Sequence, residues 1–399
     1  MGVITSLGDS PEELHSSLCT GQQAAYQIEH RQLEDSTCTQ GGCIASFQPE
    51  TYLKGKPLRA LDRTGRIVVA AAKLALEKSG WTMEALGKRD VGLVLGTMFG
   101  SAHTISEFDR RALTQGPACV SPLDFANTVL NAAAGQTAIW HNLRGINSTI
   151  ASGNTSGLMA LGYATDLVRY GGHTAVLAGG ADEFCFETFC GFERAGLLCK
   201  TNGHGEFPVP FAAHRSGFAL GEGAALLMLE EWDSARERGA LIVGEILGHG
   251  NAYDATTRRE CGPKAIVRAM RAALHDSQIQ PDELGCISAS ANGSVFADRN
   301  EAVAVKALFN GSSDSIPITA IKSMTGEILG ASGAVQAADL VESLRNQMLP
   351  GIRGLQQPEA GLPTLNFCHQ QQNINAGCGL INSIGFDGNV CSLVIAKVP

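Results

Sequence analysis

The sequence predicts an α/β fold built from two similar halves. Three observations carry that prediction. Short apolar runs alternate with helical patterns along the whole chain. Two distant segments, STIASGNTSGLMAL at 148–161 and PITAIKSMTGEILGASGAV at 317–335, both read as strand, small-residue turn and small-residue helix. No linker, low-complexity tract or long charge run divides the 399 residues, so the two halves are expected to form one body.

Taken in chain order, Thr64 is placed to cap a helix carrying Val68, Ala71, Ala72, Ala75 and Leu76 on one face, and Gly80 to end it. Val91–Gly96 (VGLVLG) is a first buried strand. Helical patterns follow at Asn127–Leu143 and Thr155–Tyr170, then strands at Thr174–Gly179 and Ala224–Leu229. Pro263–Asp276 and Asn300–Phe309 read as helices, Ile316–Ile321 as a strand and Ile328–Met348 as a last long helix. The strand runs are apolar at nearly every position, the pattern of strands covered on both faces in mainly parallel sheets.

Hydrophobic residues make up 44% of the chain and charged ones 17%, enough for a large buried core. A net charge of −9 argues against nucleic acid and against an anionic membrane as partners. No apolar run is long enough to span a bilayer and the start has no signal-peptide pattern, so a cytoplasmic protein is expected. The twelve cysteines are scattered without zinc-ligand spacing, which predicts reduced core thiols and no metal.

Several familiar catalytic patterns are missing. No GxGxxG follows a strand, no serine sits in a G-x-S-x-G turn, and no HExxH occurs. The ten histidines are dispersed, and His103, His141 and His249 read as structural. The turn at Gly153-Asn154-Thr155 stands out, because a strand-to-helix corner of this kind is where enzymes mount a nucleophile. Its corner residue is Asn154, whose amide is no nucleophile and whose plain reading is a helix N-cap.

Four ordered motifs resemble the β-ketoacyl-acyl carrier protein synthase family over essentially the whole chain. Gly153-Asn154-Thr155-Ser156-Gly157, followed by Ala178-Gly179-Gly180-Ala181, is similar to the family's A-C-x-S-G corner and A-G-G-A strand end. Pro210–Glu230 resembles PFDxxRxGFxxGEG with Ala212 replacing the aspartate. Ile321–Ala337 resembles KSxxGHxxGAAG, and Asn382–Ile395 resembles the closing NSFGFGGTN. The opening MGVITSLGDS is similar to TGxGxxTPLG, with the strand that normally precedes it expected to be absent. The resemblance implies a thiolase-like fold, two duplicated α/β halves in five layers (α-β-α-β-α), with an N-terminal half over 1–235 and a C-terminal half over 236–399.

The departures from the family pattern fall on its chemistry. By resemblance, the nucleophilic cysteine maps to Asn154, one histidine to Ser290 and the other to Glu327, while Lys322 is retained and its companion glutamate appears as Gln336. The reading this implies is a chain-length factor of a type II polyketide synthase, of aryl-polyene or aromatic type. It has no catalytic residue, is no enzyme on its own, and needs no cofactor or metal. Its implied partners are an active ketosynthase, in a heterodimer, and acyl carrier protein, whose phosphopantetheine arm would reach the partner subunit. The stretches Ala102–Leu113 and Leu123–Val129 would face that partner, with Ile105, Phe108, Phe125 and Thr128 lining a tunnel and Phe386 as a gate. Two alternatives stand beside it: an autonomous enzyme with its site rebuilt around Lys322, Glu327 and Ser290, and a homodimeric ligand-binding scaffold.

Overall fold

The computed structural model describes residues 1–28, 38–55, 57–200, 207–256, 261–309 and 315–398. Its principal strands, numbered in chain order, are β1 Gly2–Thr5, β2 Val91–Gly96, β3 Asn147–Ile150, β4 Ala175–Asp182, β5 Gly223–Glu230 and β6 Glu245–Tyr253. They continue with β7 Cys286–Ser288, β8 Pro317–Thr319, β9 Asn366–Phe367, β10 Cys378–Ile384 and β11 Asn389–Ala396. The principal helices are α1 Pro11–Cys19, α2 Arg63–Lys78, α3 Ala102–Gln115, α4 Pro122–Phe125 and α5 Ala132–His141. After them come α6 Ser156–Arg169, α7 Phe186–Arg194, α8 Pro263–Ser277, α9 Val295–Leu308 and α10 Ser332–Asn346.

The strands form two main sheets, ordered β1-β5-β4-β2-β3 and β9-β8-β7-β10-β11-β6. Helices α6 and α10 lie between them, α2 and α5 cover the outer face of the first sheet, and α8 and α9 cover the outer face of the second. That is the predicted sequence of helix, sheet, helix, sheet and helix. Strand β2 is buried at all six positions, as a strand between two helical layers must be.

The expectation of mainly parallel sheets needs correction. β2, β3 and β4 run parallel, but β4 pairs antiparallel with β5 and β5 antiparallel with β1. The second sheet likewise turns antiparallel at β10, β11 and β6. Within the opening motif itself, Gly2–Thr5 forms a strand, with all four residues buried and paired with β5. Thr64 does not cap α2. Asp62 does, accepting from Gly65 N at 2.8 Å, while Thr64 is buried and donates to Gly100 O. An acid two residues farther out reaches the free N–H groups better than a residue already inside the first turn.

The two echoed segments adopt the same device. In the first half a 3₁₀ turn over Gly153–Thr155 leads into α6, and in the second a 3₁₀ turn over Leu329–Ala331 leads into α10. Each turn begins at positive φ, +57° at Gly153 and +48° at Leu329. Glycine accepts that conformation freely, whereas a leucine there stores strain of about 1–2 kcal/mol, offset here by complete burial of its side chain. Asp182 at the end of β4 ties the second device to the end of β2 by accepting from Gly330 N (2.7 Å), Met98 N (2.8 Å) and Thr97 Oγ1 (2.8 Å), and Ser156 at the start of α6 donates to Thr97 O at 3.1 Å. Among the described residues no helix is long and apolar enough to cross a membrane.

Candidate functional site

The site is built where the two corners meet on strand β10. Ser383 Oγ donates to Asn154 O at 3.2 Å, and the next residue, Ile384, donates its N–H to Ser290 Oγ at 3.0 Å. One strand of the second half therefore holds both the corner of the first half and the polar cluster of the second. Asn154 is fully buried, yet neither its Oδ1 nor its Nδ2 has a hydrogen-bond partner. It is therefore not the N-cap that its residue type predicted, and an unpaired buried amide costs about 1–3 kcal/mol.

Lys322, Glu327 and Ser290 come together as the sequence placed them. Lys322 Nζ lies 2.9 Å from Glu327 Oε2 and 3.4 Å from Ser290 Oγ, with both charged side chains at most 2% exposed. Glu327 also accepts from Asn292 Nδ2 at 2.8 Å and from Ser332 Oγ at 2.6 Å. Its backbone is pinned to the Pro210–Glu230 motif through Ala219 O and Gly221 N. Gln336, one turn along α10, donates to the carbonyls of Ser288 and Ala289 and so steadies the loop that carries Ser290.

Sequence reading missed Glu301. It lies on the buried stripe of α9 with Asp298, Ala302, Ala304, Val305 and Leu308, so an acid at an apolar position of an amphipathic helix was the available signal. Glu301 Oε1 accepts from Ser290 N at 2.9 Å and from Asn382 Nδ2 at 3.0 Å, and its Oε2 has no partner. Burial pushes its carboxyl up from 4.5 to about 7, against the pull of those two bonds. Ser290, Asn292, Glu301 and Phe386 border a small cavity of only about 10 Å³. Phe386 stacks on Phe218 at 5.1 Å and packs against Phe192 at 5.8 Å, placing an aromatic cluster beside that cavity.

A carboxyl whose folded pKa lies above its unfolded one keeps its proton only in the fold between those values. Its contribution is most favourable below pH 4.5 and is lost as pH rises through about 7. Glu301→Gln should therefore retain roughly 3 kcal/mol more stability than the native chain on going from acid to pH 8. Urea midpoints of both proteins across that range read the difference. Parallel pH curves would show that Glu301 ionises freely.

The four tunnel candidates lie elsewhere, on the surface carried by α3 and α4. Phe108 and Phe125 pack at 5.9 Å, Ile105 sits one turn earlier on α3, and Thr128 bonds back to Phe125 O. Around them Leu113, Leu123, Phe125, Val129 and Leu130 are exposed, from 44% to 86%. Phe386 is separate from this group, beside Ser290. The three histidines read as structural bond to Glu187 (His103), the Val69 carbonyl (His141) and Asp166 (His249).

A stacked pair of α/β halves, with polar groups gathered where two helix-entry turns meet, defines a thiolase-like ketosynthase architecture. The family models narrow it: residues 1–235 match the β-ketoacyl synthase N-terminal domain and residues 240–356 the C-terminal domain, so the chain belongs to the β-ketoacyl synthase family. It is similar to 3-oxoacyl-acyl-carrier-protein synthase 2 of Vibrio cholerae serotype O1, 31% identical over 100% of this chain and 98% of the relative. The enzyme of that name from Vibrio harveyi is 32% identical over 100% and 97%. Among solved structures, the ishigamide ketosynthase/chain length factor superposes with a TM-score of 0.93 at 28% identity, covering 100% of this chain and 98% of that one. A type II polyketide synthase acyl carrier protein in complex with its ketosynthase bound to the hexaketide gives 0.91 at 25% identity, covering 100% and 98%.

These relatives overturn the expectation that the chain is no enzyme on its own. Four relatives at 28% to 32% identity, matched over 96% or more of their length, all carry the synthase's name. The physical reason for the misreading is that it judged chemistry only at the three positions where the family's groups are replaced. The structure shows other ionisable groups, Lys322 and Glu301, against the same serine.

Proposed function

We propose that the chain is an enzyme that takes acyl groups from acyl carrier protein thioesters through Ser290. The observation that carries this is the convergence of two donors on one hydroxyl oxygen, the Lys322 ammonium at 3.4 Å and the Ile384 N–H at 3.0 Å. Donors so placed stabilise a serine oxygen as it loses its proton. Glu301 supplies the base, because its carboxylate is anchored on the Ser290 amide and borders the same cavity. Glu327 holds Lys322 in position. In the step, Ser290 Oγ bonds to the thioester carbonyl carbon and its proton passes to Glu301. The C–S bond then breaks, the thiol leaves with that proton, and water releases the acyl group from the serine ester. Phe386 must swing aside to admit the substrate, since the cavity as it stands holds no acyl group. No acyl group is expected on Asn154, because an amide nitrogen is a very poor acceptor.

The same reading includes a partner. What supports it is the exposed apolar surface of α3 and α4, too extensive for scattered surface leucines, together with the resemblance to a ketosynthase/chain length factor structure. A ketosynthase subunit docked there would bring Ile105, Phe108, Phe125 and Thr128 to the growing acyl chain. One experiment addresses both points. Acyl carrier protein bearing a short acyl thioester is given to the chain alone and to the chain co-expressed with a Cys–His–His ketosynthase. Thiol release with an adduct at Ser290 is expected, absent in Ser290→Ala and lowered about 100-fold or more in Lys322→Met. Native mass should show a heterodimer in the co-expressed sample. No thiol release by the chain in either form sinks the Ser290 chemistry, and a co-expressed sample without the ketosynthase removes the partner.

A further inference from the structure

A second group of nucleophile, base and acid lies apart from the Ser290 cluster, at the packing of α1 against α10. Cys19 Sγ is 3.5 Å from His15 Nε2, and His15 Nδ1 is 2.8 Å from Asp339 Oδ1. His15 and Cys19 are four residues apart on α1 and so share one helix face. Asp339 comes from the buried middle of α10. With its Nδ1–H donated to the carboxylate, the imidazole turns Nε2 toward the sulfur. There the charged ring donates to the sulfur and stabilises it as the thiolate. This is the arrangement of thiol, imidazole and orienting carboxylate that activates cysteines in enzymes.

We propose that Cys19 is a reactive thiol that exchanges with low-molecular-weight disulfides, activated by His15 and oriented through Asp339. The thiolate attacks one sulfur of the small disulfide, a new S–S bond forms, and the displaced thiolate takes its proton from the His15 imidazolium. One disulfide is consumed and one is made, so no outside oxidant enters the balance. Cys19 is half-buried and reachable, whereas His15 and Asp339 are buried and fixed. The surroundings favour the charged imidazole. Burial works against it, but the bonds to Asp339 and Cys19 outweigh that and raise its pKa to about 10. Among the elements packed on α1, β1 carries no titratable side chain and α10 presents Asp339 to the imidazole, while Lys78 of α2 and Arg345 of α10 act on Glu12 of α1. Behind Asp339, the Cys286 thiol on β7 is driven upward, first by burial and then by neighbouring groups including that aspartate, and stays neutral. This inference is independent of the chemistry at Ser290.

The test uses the whole chain and oxidised glutathione at pH 7, with the rate at each cysteine read by peptide mass mapping. Cys119 is the internal control, being the more exposed thiol, bonded to the Gln115 carbonyl and to no imidazole among the described residues. On exposure alone Cys119 would react first. The proposal expects Cys19 to lead it by about tenfold or more, and expects that lead to vanish in His15→Gln and shrink in Asp339→Asn. Circular dichroism checks that each variant is folded. Should His15→Gln not fold, the native rate ratio and Asp339→Asn decide. A native lead of less than about threefold, or a lead that survives loss of the imidazole, overturns the assignment.

Discussion

Lys322→Met is expected to destabilise the chain by about 3–5 kcal/mol, more than loss of a few methylene contacts explains. Lys322 and Glu327 are each 1% exposed and 2.9 Å apart, so removing the ammonium leaves a carboxylate buried with only Asn292 and Ser332 for company. Two neutral donors do not replace a full charge at a buried position. The double variant Lys322→Met/Glu327→Met separates charge from packing. With both charges gone the desolvation cost disappears, and at least half of the lost stability should return, the remainder reflecting Asn292 and Ser332 left without their acceptor. Urea midpoints of the native, two single and double proteins complete the cycle. If the double variant is no more stable than Lys322→Met, the pair is not the source of the effect.

Gly180→Ala is expected to cost about 3 kcal/mol or more, or to abolish soluble protein altogether. A Cβ at Gly180 would lie 2.3 Å from Gly330 O, 2.9 Å from Gly157 Cα and 3.0 Å from Ala331 Cα. All three obstacles are backbone, so no rotamer change relieves them. Gly157 belongs to the first corner and Gly330 to the second, which makes this the point where the two halves touch without side chains between them. The added methyl must push the corners apart and loosen the Asp182 bonds to Gly330 and Met98. Gly135→Ala on α5 is the matching control. Nothing lies within 4 Å of its Cβ, and alanine in a helix interior should be neutral or stabilise by up to about 1 kcal/mol. Equal urea midpoints for the two variants would show that the halves are not in such close contact.

The sequence by itself determined the α/β alternation, the strands β2, β4, β5 and β8, and the duplication of the strand–turn–helix device. Buried strands are apolar throughout, and the corners need small residues, so both leave a mark in the chain. It also named Asn154, Ser290, Lys322 and Glu327 as one constellation, because family motifs keep their spacing even when their residue types change. Strand direction at β1, β5, β10 and β11 was not legible, since an antiparallel strand buried on both faces looks like a parallel one. Only the tertiary structure showed that Asn154 caps nothing, that Glu301 reaches the Ser290 amide, and that His15 joins Cys19 to Asp339 across 324 positions of sequence. Those facts depend on distances between segments remote in the chain. A charged or polar side chain acquires its chemistry from the partners that folding brings to it, and its neighbours in sequence do not name them.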